Sequence, residues 1–324
     1  MDRRTFNTGL GGMLLAAAAP PAFAQDAFPS NIVRVVVPFP AGSALDGVTR
    51  IVAEGLNRAW GGKGVVVENV AGGGGNIGAQ RVMRSDPDGY TFLSSAPGPL
   101  VLNKLLYKDT PFEAERFVPL TLISTVPNVL VVRNNLPTKS LAEFLAYARA
   151  NPGKLNYASQ GVGSTGFLTG RALEVATKTQ MVHVPYRGAA QILTDIAAGH
   201  IDSFFDTVTT SLPLHQGDKA RIIAVADTER LVALPDVPTI SELVPGFRSI
   251  TWFAMAAPEG TPAPLAEKIS RDIVTVLRSP EVSARIKTLN MTIRATNPAE
   301  TAAFLKSERA YWSKLVADIG FVSQ

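Results

Sequence analysis

Four short loops carry the residues of this chain that could do chemistry. Each combines glycine or proline with hydroxyls or a charge. The first, Pro38-Phe39-Pro40-Ala41-Gly42-Ser43-Ala44-Leu45-Asp46, leads into a helix that Ser43 or Asp46 can cap. The others are Ser95-Ala96-Pro97-Gly98-Pro99, Gln160-Gly161-Val162-Gly163-Ser164-Thr165-Gly166 and Tyr186-Arg187-Gly188. Glycine lets main chain approach a ligand closely, and free N–H groups at a helix start favour an anion. Arg187 adds one cation, which can grip a carboxylate in bidentate geometry or stand as a solvated surface charge. Convergent donors without an activated nucleophile are the equipment of binding, not turnover.

Three enzymatic or cofactor readings compete with this. A serine hydrolase needs a nucleophile, a histidine base and an orienting acid. Ser164 is the best nucleophile but lacks the Gly-x-Ser-x-Gly elbow. Of the 3 histidines, His183 falls in a strand, His200 follows Gly199 in a turn and His215 sits in a polar loop. No His-x-x-x-His pair exists to seed a zinc site. Gly73-x-Gly75-x-x-Gly78 and Gly161-x-Gly163-x-x-Gly166 both fit a dinucleotide fingerprint, yet neither has the acidic residue about 20 positions on that would hold the ribose. No cofactor and no metal are expected.

The elements that must hold these loops alternate. Ile32 to Val37 reads as a buried strand, followed by a helix through Val48, Ile51, Val52 and Leu56. Val65 to Val67 is a strand and Asn76 to Arg84 a helix, and Pro87-Asp88-Gly89 turns into a strand from Tyr90 to Ser94. The same grammar returns as the strand Asn128 to Arg133, a helix from Ser140 to Ala150, and the strand Leu155 to Ala158. A helix to Ala176, the strand Met181 to Val184, a helix to Ala198, and the strands Ile201 to Phe205, Arg221 to Ala226 and Trp252 to Ala256 follow. Three helices close the chain, Leu265 to Leu277, Glu281 to Leu289 and Pro298 to Ile319, and this tail is expected to pack back on the first unit. Strands alternating with helices predict parallel sheets whose ligands bind at the carboxyl ends of the strands, where all four loops lie.

The N-terminus bounds the setting. Asp2-Arg3-Arg4-Thr5-Phe6, an apolar run from Gly9 to Ala19, and Ala22-Phe23-Ala24 before Gln25 make a signal peptide over residues 1–24, cleaved after Ala24. The paired arginines favour the twin-arginine route over the general secretory one. No later segment reaches the roughly 20 apolar residues of a membrane span. An exported protein has little access to ATP, NAD or nucleic acid. With 0 cysteines, disulfides, thiol chemistry and a lipidated anchor are excluded. The net charge of +4, without a basic cluster, does not point to nucleic acid. At 324 residues the chain exceeds what one core usually organises, so two lobes are expected.

Read as a whole, the chain resembles the extracytoplasmic solute receptors of the tripartite tricarboxylate transporter family, the Bug receptors. The likeness rests on Val37-Pro38-Phe39-Pro40-Ala41-Gly42 with Asp46, Glu68-Asn69 followed by Gly74-Gly75-Asn76-Ile77-Gly78-Ala79, Pro87-Asp88-Gly89-Tyr90-Thr91 and Pro127-Asn128-Val129-Leu130-Val131-Val132. It continues through Gly161-Val162-Gly163-Ser164, His183-Val184-Pro185-Tyr186-Arg187-Gly188, Asp202 with Phe205-Asp206, Leu234-Pro235-Asp236-Val237-Pro238-Thr239, and Trp252 with Ala257-Pro258.

The resemblance implies an α/β, two-lobed periplasmic binding protein of type II, a Venus-flytrap with parallel-type sheets flanked by helices. Lobe 1 would span 25–127 plus 252–324 and lobe 2 128–251. It further implies a ligand site of Phe39, Ala41, Gly42, Ser43 and Asp46, with Ser95, Pro97 and Gly98, on one lobe. Gln160, Gly163, Ser164, Thr165, Tyr186, Arg187, Gly188 and Asp206 would face them from the other. The loops at Phe39 to Asp46 and Gly161 to Thr165 would grip a carboxylate, partly through ordered waters. The chain departs from the family at Ser43, Phe167 and Gln191, where glycine, histidine and proline are usual, so ligand identity does not carry over. The implied partners are a small organic acid or amino acid and the membrane subunits of a tripartite tricarboxylate transporter, or a sensor kinase. The receptor would be a monomer. The alternatives are an exported serine hydrolase using Ser164 and a sensor-linked receptor without transport.

Overall fold

The computed structural model describes residues 28–162, 164–321 and 323. The expected signal peptide, residues 25–27 and the candidate ligand residue Gly163 lie outside the described residues. The first half comprises β1 (Val33–Val37), α1 (Ala44–Ala59), β2 (Val65–Asn69), α2 (Asn76–Met83), β3 (Thr91–Ser95) and α3 (Asn103–Leu106). The long strand β4 (Val118–Arg133) leads into α4 (Leu141–Ala150), β5 (Asn156–Ser159), α5 (Thr165–Thr177), β6 (Val182–Pro185) and α6 (Ala189–Ala198). Then come β7 (Ser203–Thr207), α7 (Val208–Gln216), β8 (Ala220–Val225), β9 (Ile250–Ala257), α8 (Ala263–Arg278), α9 (Pro280–Lys287), β10 (Thr292–Ile293) and α10 (Pro298–Asp318).

Local chemistry explains most of these elements. Val33, Val35, Val36 and Val37 of β1 are fully buried, as an inner parallel strand covered on both faces requires. Ser43 caps α1 by accepting the Asp46 N–H at 3.2 Å, and Val48, Val52 and Leu56 form its buried stripe. Ser140 caps α4 in the same way through the Glu143 N–H. Asn297 and Glu300 close a reciprocal box at the start of α10.

The strands join in the order β2-β1-β3-β9-β4-β7-β5-β6, with β8 and β10 also on β4. The outer strands are parallel, as expected, but β9 runs antiparallel to β3 and β4, and β4 runs antiparallel to β7 and β8. The sheet is therefore mixed. The cause is β4, which belongs to both halves: Val118 to Pro127 pair with β9, and Asn128 to Arg133 pair with β7 and β8. Only its second part was legible as a strand. Pro119 and Pro127 argue against a central strand, and the ladder accommodates the first part through register shifts at Pro119/Thr121 and Leu122/Ser124.

A second segment crosses beside it. Asn128 N–H donates to Ser249 O at 3.4 Å, Ser249 N–H to Ala226 O at 2.8 Å, and Ala226 N–H to Asn128 O at 2.8 Å. Hydrophobic clusters fill both faces of each half, and one of them runs continuously from the first half into the second. The C-terminal helices pack on the first half, where Glu308 of α10 accepts the indole N–H of Trp252 at 2.6 Å and of Trp312 at 2.9 Å. One loop expectation is corrected. His215 lies in the last turn of α7, a helix that interior Pro213 disguises, and its Nδ1 accepts the Ile222 N–H.

Candidate ligand-binding site

The β1–α1 loop is held by a carboxylate that faces away from the cavity it shapes. Asp46 accepts the Gly42 N–H at 3.0 Å, Arg50 Nε at 3.1 Å and Asn69 Nδ2 at 3.0 Å, and the same Asn69 amide donates to Phe39 O at 3.1 Å. Burial pushes its carboxyl up, but the Arg50 guanidinium, the Gly42 N–H and the Asn69 amide outweigh this and hold it below the usual range. The loop is thereby set with Phe39 and Ser43 turned to the interior.

On the opposite side, Ser164 caps α5. Its Oγ donates to Gly161 O at 2.6 Å and accepts the Phe167 N–H at 3.3 Å. Gly166 follows because α5 lies directly on β7: a Cβ there would stand 2.2 Å from Phe205 O. Gly78 is needed for the same reason in α2, where a Cβ would stand 2.6 Å from Val70 O. The two glycine fingerprints thus serve helix–strand packing.

Between these loops lies a cavity of about 50 Å³, room on the order of a few water molecules. Phe39, Ser43, Ala44, Leu45, Ala96, Pro97 and Gly98 line it from the first half, with Thr251 and Phe253 of β9. Gln160, Ser164, Thr165, Gly166, Phe205, Asp206 and Thr207 line it from the second. The first turns of α1 and α5 both border it, each with N–H groups that helix geometry leaves without partners. Two helix N-termini across one space favour negative charge.

Asp206 is the single ionisable side chain among the described residues lining it. It accepts Gln160 Nε2 at 3.1 Å, Thr207 N–H at 2.7 Å and Thr210 Oγ1 at 2.7 Å. Burial raises its carboxyl to about 6 against these three donors.

A wider cavity of about 510 Å³ adjoins the first through Phe39 and Gln160, which line both. Pro38, Pro40, the Ala71 to Gly75 loop, Tyr107, Gly161, Tyr186 and Arg187 complete it. Arg187 is exposed there. The Tyr186 hydroxyl donates to Asp195 Oδ2 at 2.7 Å; burial and that carboxylate push it up to about 12.

Of the residues singled out in sequence, Phe39, Ser43, Pro97, Gly98, Gln160, Ser164, Thr165 and Asp206 meet at the small cavity, and Tyr186 and Arg187 at the wide one. Gly42 and Asp46 line a separate groove beside α7, and Ala41 is exposed. Ser95 is buried with its Oγ on Ala96 O, and Gly188 stands against Pro40. Sequence reasoning missed Phe205, Thr207, Thr251 and Phe253 as lining residues, since an uncharged residue inside a strand carries no signal of its own.

The hydrolase arrangement is not assembled: Ser164 Oγ serves as a cap, and His183 Nε2 bonds Ser159 Oγ at 2.7 Å. His183 lies between the rings of Tyr157 and Phe167, and burial and Arg171 lower it to about 4, which keeps it neutral.

Two α/β halves strung on a shared strand, with strand-tip loops and helix starts of both bordering one cavity, have the two-lobed architecture of periplasmic binding proteins. The chain belongs to the tripartite tricarboxylate transporter receptor family, whose description, "Tripartite tricarboxylate transporter family receptor", matches residues 48–321. A Pseudomonas sp. (strain P51) protein encoded in a tcbD-tcbE intergenic region is 36% identical over 95% of this chain and 93% of its own length. BugT of Bordetella pertussis is 31% identical over 95% of this chain and 96% of its own length, in keeping with a Bug-type receptor.

Solved structures agree. An R. palustris protein with adipate superposes with a TM-score of 0.88 at 31% identity, covering 92% of this chain and 100% of that one. The periplasmic binding protein BugD gives 0.86 at 32%, covering 92% and 100%. MatC from Rhodopseudomonas palustris, with bound malate, gives 0.84 at 29%, covering 89% and 100%. Family and neighbours are solute-binding proteins.

Proposed function

We propose that this chain is an exported periplasmic receptor that captures a small carboxylate-bearing metabolite by cleft closure and delivers it to the membrane subunits of a tripartite tricarboxylate transporter. The observation that carries this reading is the pair of helix N-termini, α1 and α5, bordering one cavity from opposite halves. Residues 25–127 with 252–324 form one lobe and 128–251 the other; the change of β4 partners at Pro127/Asn128 supports that division.

The carboxylate head fills the small cavity and the remainder of the metabolite extends into the wide one, within reach of Arg187. Donors from each half satisfy the anion together only when the cleft is shut, so the ligand favours the closed form through contacts the open form cannot make. A few charge-assisted hydrogen bonds, at roughly 1.5–3 kcal/mol each and less the ordering cost, match micromolar affinity near −8 kcal/mol. The receptor works as a monomer without cofactor, metal, nucleic acid or bond-making chemistry. The adipate and malate bound to the R. palustris relatives support a carboxylate ligand.

A thermal-shift screen across mono- and dicarboxylates and amino acids, followed by calorimetry, tests this. A rise in melting temperature with at least one acid, saturating at micromolar concentration, is the expected result. Turnover of esters or amides, with no acid bound, would replace it by the hydrolase reading.

A further inference from the structure

The small cavity contains a contradiction for an anion site. Two helix N-termini invite a carboxylate, yet the one ionisable side chain lining it among the described residues is itself an acid. Among the described residues lining the cavity, Asp206 has no cation to offset it. On its own strand and on α7 its partners are Thr207 and Thr210, and from the β5–α5 loop Gln160. Val129 pairs with it across the sheet. The start of α1 presents Ser43, Ala44 and Leu45, the β3 loop Ala96 to Gly98, the start of α5 Ser164, Thr165 and Gly166, and β9 Thr251 and Phe253. None of these titrates or carries charge. The charged side chains of the neighbouring loops lie elsewhere, Asp46 on a separate groove tied to Arg50 and Arg187 on the wide cavity.

Two carboxylates enclosed together without a cation cannot both stay ionised at low cost. We propose that Asp206 makes capture proton-coupled: the receptor takes up one proton from solvent onto Asp206 as the carboxylate of its ligand enters, and the resulting O–H donates to a ligand oxygen. This rests on the reading of the small cavity as the carboxylate site. The balance is simple: ionised Asp206, one proton and the ligand anion give a neutral Asp206 acid hydrogen-bonded to the bound carboxylate, with no covalent bond changed on the ligand. Three of the roughly four lone-pair positions on Asp206 already accept protein donors, which leaves one place for the proton. Burial has already brought Asp206 part of the way, to about 6. A second enclosed anion continues the same displacement.

Calorimetry of the mature receptor with adipate and with malate, each in phosphate and in Tris at pH 7.5, reads the proton directly. The expected result is an uptake of close to one proton per bound acid, with affinity falling about tenfold per pH unit between pH 7 and pH 8.5. Asp206→Asn, which keeps the shape and supplies a permanent donor, is expected to bind the same acid with no proton uptake and a flat pH profile. A melting temperature near wild type shows that the variant is folded, and the wild-type buffer comparison stands without it. Binding of an acid with no proton exchange and no pH slope overturns the proposal while leaving capture intact. Tight binding of glutamate without proton uptake, with both acids ignored, also overturns it by assigning Asp206 to an ammonium. Failure of every acid to bind removes the carboxylate site and the proposal with it.

Discussion

The hydroxyls of Thr165, at the start of α5, and Thr251, on β9, share a hydrogen bond of 2.5 Å at the base of the cavity, 86 positions apart in sequence. Thr251 Oγ1 also donates to Asn128 Oδ1 at 3.0 Å. Thr169, one turn beyond Thr165, bonds Ser249 Oγ at 2.5 Å. Residues that border the small cavity are therefore tied directly to the strands that pass between the halves. A carboxylate held at α5, as proposed above, would be one bond away from the crossover.

That bond predicts coupling. Thr165→Val and Thr251→Val should each destabilise the protein, and the double variant should cost less than the two together, with an interaction energy of about 0.5–1.5 kcal/mol. Urea unfolding of the four proteins provides the cycle; strict additivity would show that the bond contributes nothing.

Asp46→Ala should weaken ligand binding by about tenfold or more although Asp46 does not line the small cavity, because the Gly42 N–H, Arg50 and Asn69 lose their shared acceptor. The carboxyl is held below its usual range, so its contribution to stability is present above that range and fades as pH falls through the folded value. The destabilisation, about 2 kcal/mol at pH 7, should shrink toward pH 3 in urea titrations.

Glu308→Ala should release α10 from the first half. It strips a buried acceptor from two indole N–H groups, at a cost of about 2–4 kcal/mol. Trp252 and Trp312 are two of the 3 tryptophans, so intrinsic fluorescence should shift to the red and the melting temperature should fall. Unchanged emission would mean that the helix is held elsewhere.

Acid should expose His183. Burial and Arg171 lower it to about 4, so the unfolded chain binds the extra proton between pH 6.5 and 4. The stability His183 contributes is present above pH 6.5 and is lost as pH falls to 4. His183→Gln, which keeps an acceptor for Ser159, should flatten that part of the stability profile in chemical denaturation.

The alternating units were legible because β1 is an almost unbroken run of valine and because Ser43 and Ser140 announce their helices. The loops were legible for a related reason: glycine and proline restrict or free the backbone wherever they stand. The first part of β4 and the helix α7 were hidden by internal prolines, whose local penalty is offset by register shifts in one case and by neighbouring contacts in the other.

Family, most of the element order and the chemistry of the strand-tip loops were settled by residue type and short-range spacing, since caps, turns and buried runs are decided within a few positions. Which of those residues share a cavity was decided by the fold. Residues near 39, 97, 165, 206 and 251 reach one space only after β4 and β9 have placed the halves against each other. Asp46 and Asp206 look alike in sequence, each an acid where a strand gives way to a helix. Their environments part them: Arg50 and two other donors, the Gly42 N–H and the Asn69 amide, keep one an anion behind its loop, while burial with no cation among the described residues lining its cavity leaves the other poised to accept a proton.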